Sequence, residues 1–383
     1  MTQELAVTHL FDTKKALFAD LIDSLLELSI LGSFSDVGYT VRSKLYGWDT
    51  IYPIHDVAGG LNKEEVAPLT AVITGFSSGI GLATSLELAR NNWQIIGIAS
   101  NRERCTNALE NIREVQSNLP ASQEARANIF TCEEGYENNA LEKLPLAASY
   151  AITADVAELS QIDQAVNVIK KHNTKIDLLI HCAGKIYPEM HLTKNGFEST
   201  LALHVLGPHL LTKSLLELMP IKTTGYLPRI IWVSSGGMYA VKMGLDKLLY
   251  CDKSTYRSTK AYAYAKRIQV ELAEIWAIKL AEENRLAFSM HPGFVDTRAI
   301  QEGIPLFTKL MKPFLRTPLQ GADTLIYLAL LNQNEALRTL NGSFILDRKP
   351  RSTSKLKSTV SSVSEKILTF ETVEKLISDR EAG

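Results

Sequence analysis

The sequence predicts an α/β protein built on a doubly wound parallel sheet: a single large domain with an N-terminal helical arm and a C-terminal tail. Two observations carry this. From residue 69 onward, short and continuously apolar runs alternate with stretches of helical spacing. Strands covered on both faces, each followed by a helix, are what a parallel sheet requires. A glycine-spaced turn, "VITGFSSGIGLA" (72–83), then joins the first run to the first helix.

The strand runs, in order, are "LTAVITG" (69–75), "WQIIGIAS" (93–100), "SYAITAD" (149–155), "IDLLIHCAG" (176–184), "RIIWVSS" (229–235), "LAFSMHPG" (286–293) and "GSFILD" (342–347). Helical spacing fills the intervals at 79–91, 160–172, 196–219, 255–284 and 318–332. One interval is too long for a single helix. Its second half, about 120–147, is acidic and irregular and reads as a surface insertion. Three regions follow: an arm over 1–68, the main domain over 69–347, and a tail over 348–383.

In the arm, Leu17, Phe18, Leu21, Ile22, Leu25, Leu26 and Leu28 recur at helical spacing, so residues 13–31 read as an amphipathic helix. It is expected to pack back on the domain, with a weak membrane-surface contact or a dimer contact as the alternatives. The aromatic stretch behind it, "GSFSDVGYTVRSKLYGWDTIYPIHDVAGG", reads as rich in turns. The tail opens with five basic residues in ten positions, turns Ser/Thr-rich, and ends in a short helix from about Glu365. A solvated tail is expected.

With 383 residues and 45% hydrophobic content, the chain can bury a large core. A net charge of -1 gives no electrostatic footprint for nucleic acid. The four cysteines, Cys105, Cys132, Cys182 and Cys251, lie far apart with no CxxC spacing. That argues against a structural zinc site or a secreted disulfide framework, and no metal site is expected. No apolar run reaches the ~18 residues of a membrane span. The start of the chain is mixed in charge and has neither signal-peptide nor transit-peptide character. A cytoplasmic location is the expectation.

Gly75, Gly79 and Gly81 give the spacing G-x-x-x-G-x-G, with Ser77, Ser78 and Ile80 between them. Glycines let the backbone turn tightly and let a pyrophosphate approach, and the helix start offers unpaired N–H groups. The flanking strand and helix supply the context that a glycine pattern alone lacks. These six residues are therefore candidate cofactor contacts. At the end of the second run stands "ASNRER", with Arg102 and Arg104 and no acid at the strand tip. An acid there would hold the ribose 2′-OH of NAD, whereas a basic residue favours the 2′-phosphate of NADP. NADP is the expected cofactor, with NAD not excluded; the alternative for the arginines is ordinary helix-surface charge.

The ordered set "TGFSSGIG" (74–81), "ADV" (154–156), "HCAG" (181–184), "VSS" (233–235), a Tyr-x-x-x-Lys region and "HPGFVDT" (291–297) resembles the short-chain dehydrogenase/reductase family. The resemblance runs from about Leu69 to Asp347. Longer phrases, "YAYAKRIQVELAEIWA" and "DRKPRST" among them, are similar to its dehydrogenase/reductase member 12 branch, which also carries an arm before the glycine turn. The resemblance implies a Rossmann-type fold and an NAD(P)-dependent oxidoreductase acting on a small-molecule carbonyl or alcohol. It implies that Asp155 and Val156 hold the adenine, and that Ala183 and Gly184 pass the ribose. Pro292, Gly293, Val295 and Thr297 belong to the segment covering the nicotinamide side, and Ser235 would steady the substrate oxygen.

Two positions depart from the family pattern. His181 and Cys182 stand where Asn-Asn is usual, and His204 stands where the family keeps an active-site Asn. His204 is either a proton relay, as its ordinary pKa near ~6.5 permits, or a packed helix residue.

The stretch "TYRSTKAYAYAKR" (255–267) contains Tyr-x-x-x-Lys twice, as Tyr256 with Lys260 and as Tyr262 with Lys266. Six residues turn a helix by about 600°, leaving the two tyrosines about 120° apart. Both cannot face one cleft. The family's pattern of small and apolar residues after the lysine aligns from Tyr262, so the resemblance assigns Tyr262 as the acid–base group. Lys266 would lower its pKa and anchor the nicotinamide ribose.

Met238, Tyr239, Met243, Leu245 and Phe307 point to a lipophilic substrate. A homodimer through the two long helices is a further expectation. The alternative function is a catalytically impaired nucleotide-binding sensor or scaffold of the same fold, supported only by His181, Cys182 and His204.

Overall fold

The structure, a computed structural model, describes residues 18–48, 68–117, 129–132, 148–173, 175–222, 225–331 and 334–379. Nine strands form one sheet: β1 (Thr70–Thr74), β2 (Gln94–Ala99), β3 (Ile129–Thr131), β4 (Tyr150–Thr153), β5 (Leu178–His181), β6 (Arg229–Val233), β7 (Leu286–Met290), β8 (Phe344–Leu346) and β9 (Lys349–Arg351). Their order is β3-β4-β2-β1-β5-β6-β7-β8-β9. Every pairing is parallel except β8 with β9.

Side chains alternate across the sheet and feed two cores. Val72 packs in one with the helices Leu159–His172, Gly207–Leu215 and Ser258–Leu280. Ala71 and Ile73 pack in the other with Gly79–Arg90, Arg102–Ser117 and Pro318–Leu330. This is the doubly wound architecture expected from the strand–helix alternation. The chain order reverses between β1 and β5, and the crevice above such a switch point is where ligands bind in these sheets.

Two strands go beyond the seven expected. β3 lies inside the stretch read as an insertion and pairs with β4 at the sheet edge. The remainder of that insertion, 120–128 and 133–147, is outside the described residues. β9 opens the tail, and the tail is not solvated. Lys349 Nζ donates to Asp20 at 2.9 Å, and the Arg351 guanidinium donates to both Asp23 oxygens at 3.0 and 3.1 Å. The basic run has acidic partners in the arm, which is why it docks.

The arm is helical over 18–27, Ile30–Phe34 and Asp36–Tyr46. The last of these falls in the stretch read as turns. Ser35 caps its start, accepting from Gly38 N, and Gly47 ends it at φ 66°. The arm does pack back on the domain, and its first helix does so by the acidic face. Asp23 is buried, while Phe18, Leu21, Leu25 and Leu28 are exposed. The part of the expected helix at 13–17 lies outside the described residues.

The tail helix Val363–Asp379 packs on Ser258–Leu280 and on the helix before β6. Phe370 meets Trp276 at 5.3 Å and His209 at 4.9 Å. Glu374 accepts from His209 Nε2 at 2.6 Å and also from Lys213. The face expected to pair two copies is thus covered by the chain itself. Among the described residues, no helix is long and apolar enough to cross a membrane.

Candidate active site

The glycine turn lies over the switch point. Thr74 Oγ1, at the end of β1, accepts from the N–H groups of Cys182 and Ala183, both at 3.1 Å. This ties the ends of β1 and β5 together. Gly75 has φ 70°, and a Cβ there would stand 2.8 Å from Ala183 Cα. Gly79 has φ 53°, and its Cβ would stand 3.2 Å from Thr297 Cγ2. A side chain at either position would close the cradle, and positive φ disfavours one. Ser78 precedes the helix Gly79–Arg90 without capping it by a side-chain hydrogen bond. Half-buried Ser77 lies in the turn, and Ile80 and buried Gly81 form the first helical turn. The open backbone, the uncapped helix start and the switch-point crevice fit a dinucleotide pyrophosphate.

The other expected cofactor contacts sit at the same ends of the strands. Arg102 is the exposed first residue of the helix after β2. Asn101 Oδ1 accepts from Arg104 N at 2.9 Å, fixing that turn, and Arg104 is half-buried. After β4, Asp155 Oδ1 accepts from Ala157 N and Asp155 N donates to Gln161, while Val156 is buried. Half-buried Ala183 and exposed Gly184 follow β5. Pro292, Gly293, Val295 and Thr297 follow β7, with Val295 bridged to Arg316.

Beside this crevice the structure gathers Ser235, Tyr262, Lys266 and His204. Ser235 is the first residue after "VS" of β6 and its connection, and its Oγ accepts from Gly237 N. Ser234 Oγ donates to Lys266 O at 2.7 Å, pinning the helix Ser258–Leu280 to that turn. Lys266 Nζ donates to Val233 O at 2.7 Å and to Gln269 Oε1 at 3.0 Å. It lies 5.5 Å from the centre of the Tyr262 ring. An ammonium has three donors, so one remains beyond these two bonds.

His204 is fully buried within a π-helical stretch, Ala202–Leu206. Such bulges commonly mark functional positions in helices. Its Nε2 bonds to Lys185 O at 2.9 Å, which makes Nε2 the donor and leaves Nδ1 with a lone pair. Nδ1 is buried without a hydrogen-bond partner. A Cβ on Gly184 would lie 3.8 Å from this nitrogen and 3.8 Å from Lys266 Nζ, so His204, Lys266 and Gly184 share one small space.

The other Tyr-x-x-x-Lys pair does something else. Tyr256 precedes the helix, is buried, and bonds to Thr200 Oγ1 at 3.2 Å and Tyr187 O at 3.0 Å. Lys260 is exposed. Both border an open cavity of about 690 Å³ whose lining includes none of Ser235, Tyr262 and Lys266.

Burial sets the acid–base character. It pushes the Tyr262 phenol up to about 12, against a hydrogen bond from Ser235 that pulls it down. It pushes Lys266 down to about 7, and His204 well below the usual imidazole range, with Lys266 adding to the effect. The resemblance implies that Lys266 makes Tyr262 more acidic. With the protein's own groups alone desolvation wins, because both side chains lie where charge is poorly solvated. Tyr262 therefore holds its proton at neutral pH.

Sequence reasoning missed three supports of this site. Gln269, three residues after Lys266 on the same helix face, was findable from spacing. Thr74 and Arg316 act through backbone groups that only the fold brings near.

Two family models match the chain: "short chain dehydrogenase" over residues 69–123 and "Enoyl-(Acyl carrier protein) reductase" over 119–324. The chain is 32% identical to human "Dehydrogenase/reductase SDR family member 12" over 283 residues, 74% of this chain and 77% of the relative. It is 26% identical to human "Polyprenol dehydrogenase", over 73% of this chain and 77% of that one. In fold it is similar to a short-chain dehydrogenase from Burkholderia cenocepacia solved in complex with NADP, with a TM-score of 0.52 and 17% identity. That likeness covers 73% of this chain and 96% of that one. With the ordered motifs and the convergence of Ser235, Tyr262 and Lys266, these matches make the chain a member of the short-chain dehydrogenase/reductase family.

Proposed function

We propose that the protein is an NADP-dependent oxidoreductase that interconverts a carbonyl and an alcohol on a lipophilic small molecule. The observation that carries the reading is the convergence of Ser235, Tyr262, Lys266 and His204 Nδ1 beside the glycine cradle at the switch point. A bound nicotinamide dinucleotide supplies the hydride donor or acceptor.

The chain's own groups do the rest. Tyr262, protonated at neutral pH, gives its proton to the substrate oxygen as a carbonyl becomes an alcohol, and takes one back in reverse. Ser235 donates a hydrogen bond to that oxygen, where charge develops. Lys266, held by Val233 O and Gln269, would in its protonated form offer its third donor to a ribose hydroxyl and stabilise a phenolate left on Tyr262. His204 Nδ1 accepts a proton-bearing partner at the inner end of the site, giving the relay a route that the family's Asn supplies by another group.

Arg102, on the exposed turn after β2, supports the 2′-phosphate and hence NADP. The NADP in the Burkholderia complex belongs to that protein and supports the same choice. A relative named for polyprenol supports an apolar substrate, as does half-buried Phe307, which packs on Phe294 of the loop after β7; Met238 and Met243, expected to face the substrate, are instead taken up by packing within the fold. Four free cysteines among the described residues fit a reducing, cytoplasmic setting.

The test is consumption of NADPH with a panel of lipophilic aldehydes and ketones, wild type against Tyr262→Phe. Turnover in the wild type, lost in Tyr262→Phe with NADPH binding intact, is expected. NADPH binding with no turnover across the panel would favour the sensor or scaffold reading.

A further inference from the structure

The N-terminal arm reaches the loops that frame the site. Phe34 is 1% exposed. Its ring meets His291 edge-on at 4.3 Å and Phe294 at 5.5 Å. Phe294 N donates to Phe34 O at 2.7 Å. On the other side, a Cβ on Gly236 would lie 2.5 Å from the same ring. Gly236 follows Ser235, and its N–H donates to His291 Nδ1 at 3.2 Å. One arm side chain therefore packs against both the loop carrying Ser235 and the loop Pro292–Thr297, beside the hydrogen bond that joins them.

A buried charge cluster holds Phe34 there. Arg42, from the arm, donates to Asp347 Oδ2 at 2.7 Å and to Ser33 O at 2.9 Å. Arg316 donates to both Asp347 oxygens at 2.6 and 2.9 Å, and to Ser33 O and Ser35 O at 3.1 Å each. Its backbone also clamps the loop: Arg316 N donates to Phe294 O, and Asp296 N to Arg316 O. All three ionic side chains are essentially inaccessible to water. A buried, fully hydrogen-bonded set of charges fixes geometry more than it stabilises the fold. The same loop ends at Thr297, whose methyl faces the Gly79 turn.

We propose that Phe34 is a positioning residue for the nicotinamide half of the cofactor site. The inference rests on the dinucleotide reading above. Phe34, braced by Arg42, Asp347 and Arg316, sets the Pro292–Thr297 loop at its working distance from Ser235 and the glycine turn. The arm is thereby part of the site's scaffold. The turns after β2 and β4, which would hold the adenosine half, are not among the groups that Phe34 meets.

The test is binding of two ligands to the full chain: NADPH, and 2′-phospho-ADP-ribose, which lacks the nicotinamide. Phe34→Ala is expected to weaken NADPH about tenfold, by loosening a preformed loop, and to leave 2′-phospho-ADP-ribose within about twofold. Equal NADPH affinity in Phe34→Ala overturns the inference. So does parallel loss of both ligands, which marks general disruption. If Phe34→Ala does not fold, Phe34→Leu, which keeps most of the apolar volume, decides by the same comparison with an expected selective loss of about threefold. Wild-type protein that binds neither ligand overturns the dinucleotide reading, and the inference with it.

Discussion

The rings of His204 and Tyr262 meet edge to face, with centroids 5.3 Å apart. A histidine at this place does not displace the tyrosine. It packs against it, bonds outward to Lys185 O, and turns its free nitrogen toward the space shared with Lys266. Replacing His204 by Asn is expected to keep activity within about tenfold, whereas His204→Leu is expected to lower kcat more than a hundredfold by removing the acceptor. The check is steady-state kinetics of both variants; equal rates would make His204 a packing residue only.

The two Tyr-x-x-x-Lys pairs give an internal control. Tyr256→Phe removes a hydroxyl bonded to Thr200 and Tyr187. It is expected to cost about 1 kcal/mol of stability and to leave kcat nearly unchanged. Unfolding in urea and a turnover assay measure the two effects separately.

Acid is expected to destabilise the fold well above the carboxylate range. Burial pushes the His181 and His291 imidazoles down to about 3. Between that value and the unfolded pKa near ~6.5, the unfolded chain binds protons that the folded chain does not. Stability therefore rises with pH through this window and is lost as pH falls below about 6.5, by about 1.4 kcal/mol per unit for each histidine. His181 lies tilted against Trp232 with ring centroids 4.4 Å apart, and bonds to Thr212 Oγ1 at 2.7 Å. His181→Asn is expected to flatten the decline between pH 7.5 and 5.5, roughly as the count of such histidines falls. Urea midpoints at the two pH values test it.

Removing the tail helix is expected to make the protein associate. Val363–Asp379 covers Trp276 with Phe370 and bonds Glu374 to His209. A chain ending at residue 362 would expose that apolar face on two long helices. Light scattering should show a monomer for the intact chain and a concentration-dependent rise in mass for the shortened one.

Local rules were enough for much of this architecture. The run "VITGFSSGIGLA" folds as strand, open turn and helix because glycine spacing and apolar continuity act within a dozen residues. The choice of Tyr262 over Tyr256 followed from the helix pattern after Lys266. What the sequence hid depended on distant partners. Arg42 bonds to Asp347, 305 residues away, and Arg351 to Asp23, 328 residues away. Charge pairs of that span leave no periodic trace. The hairpin between β8 and β9 turns through Asp347 and Arg348, both at positive φ, without the glycine or asparagine that usually marks such a turn. β3 is three residues long, below the length at which alternation can be read. The outward-facing leucines of the arm inverted the usual rule, because its acidic face had stronger partners in the tail.

The dinucleotide site is tested by a fluorescence titration of the purified wild-type protein with NADPH and, in parallel, NADH. Saturable binding of both is expected, with NADPH tighter by about tenfold and the difference lost in Arg102→Ala. Binding of neither dinucleotide would rule out a nicotinamide site above the switch point.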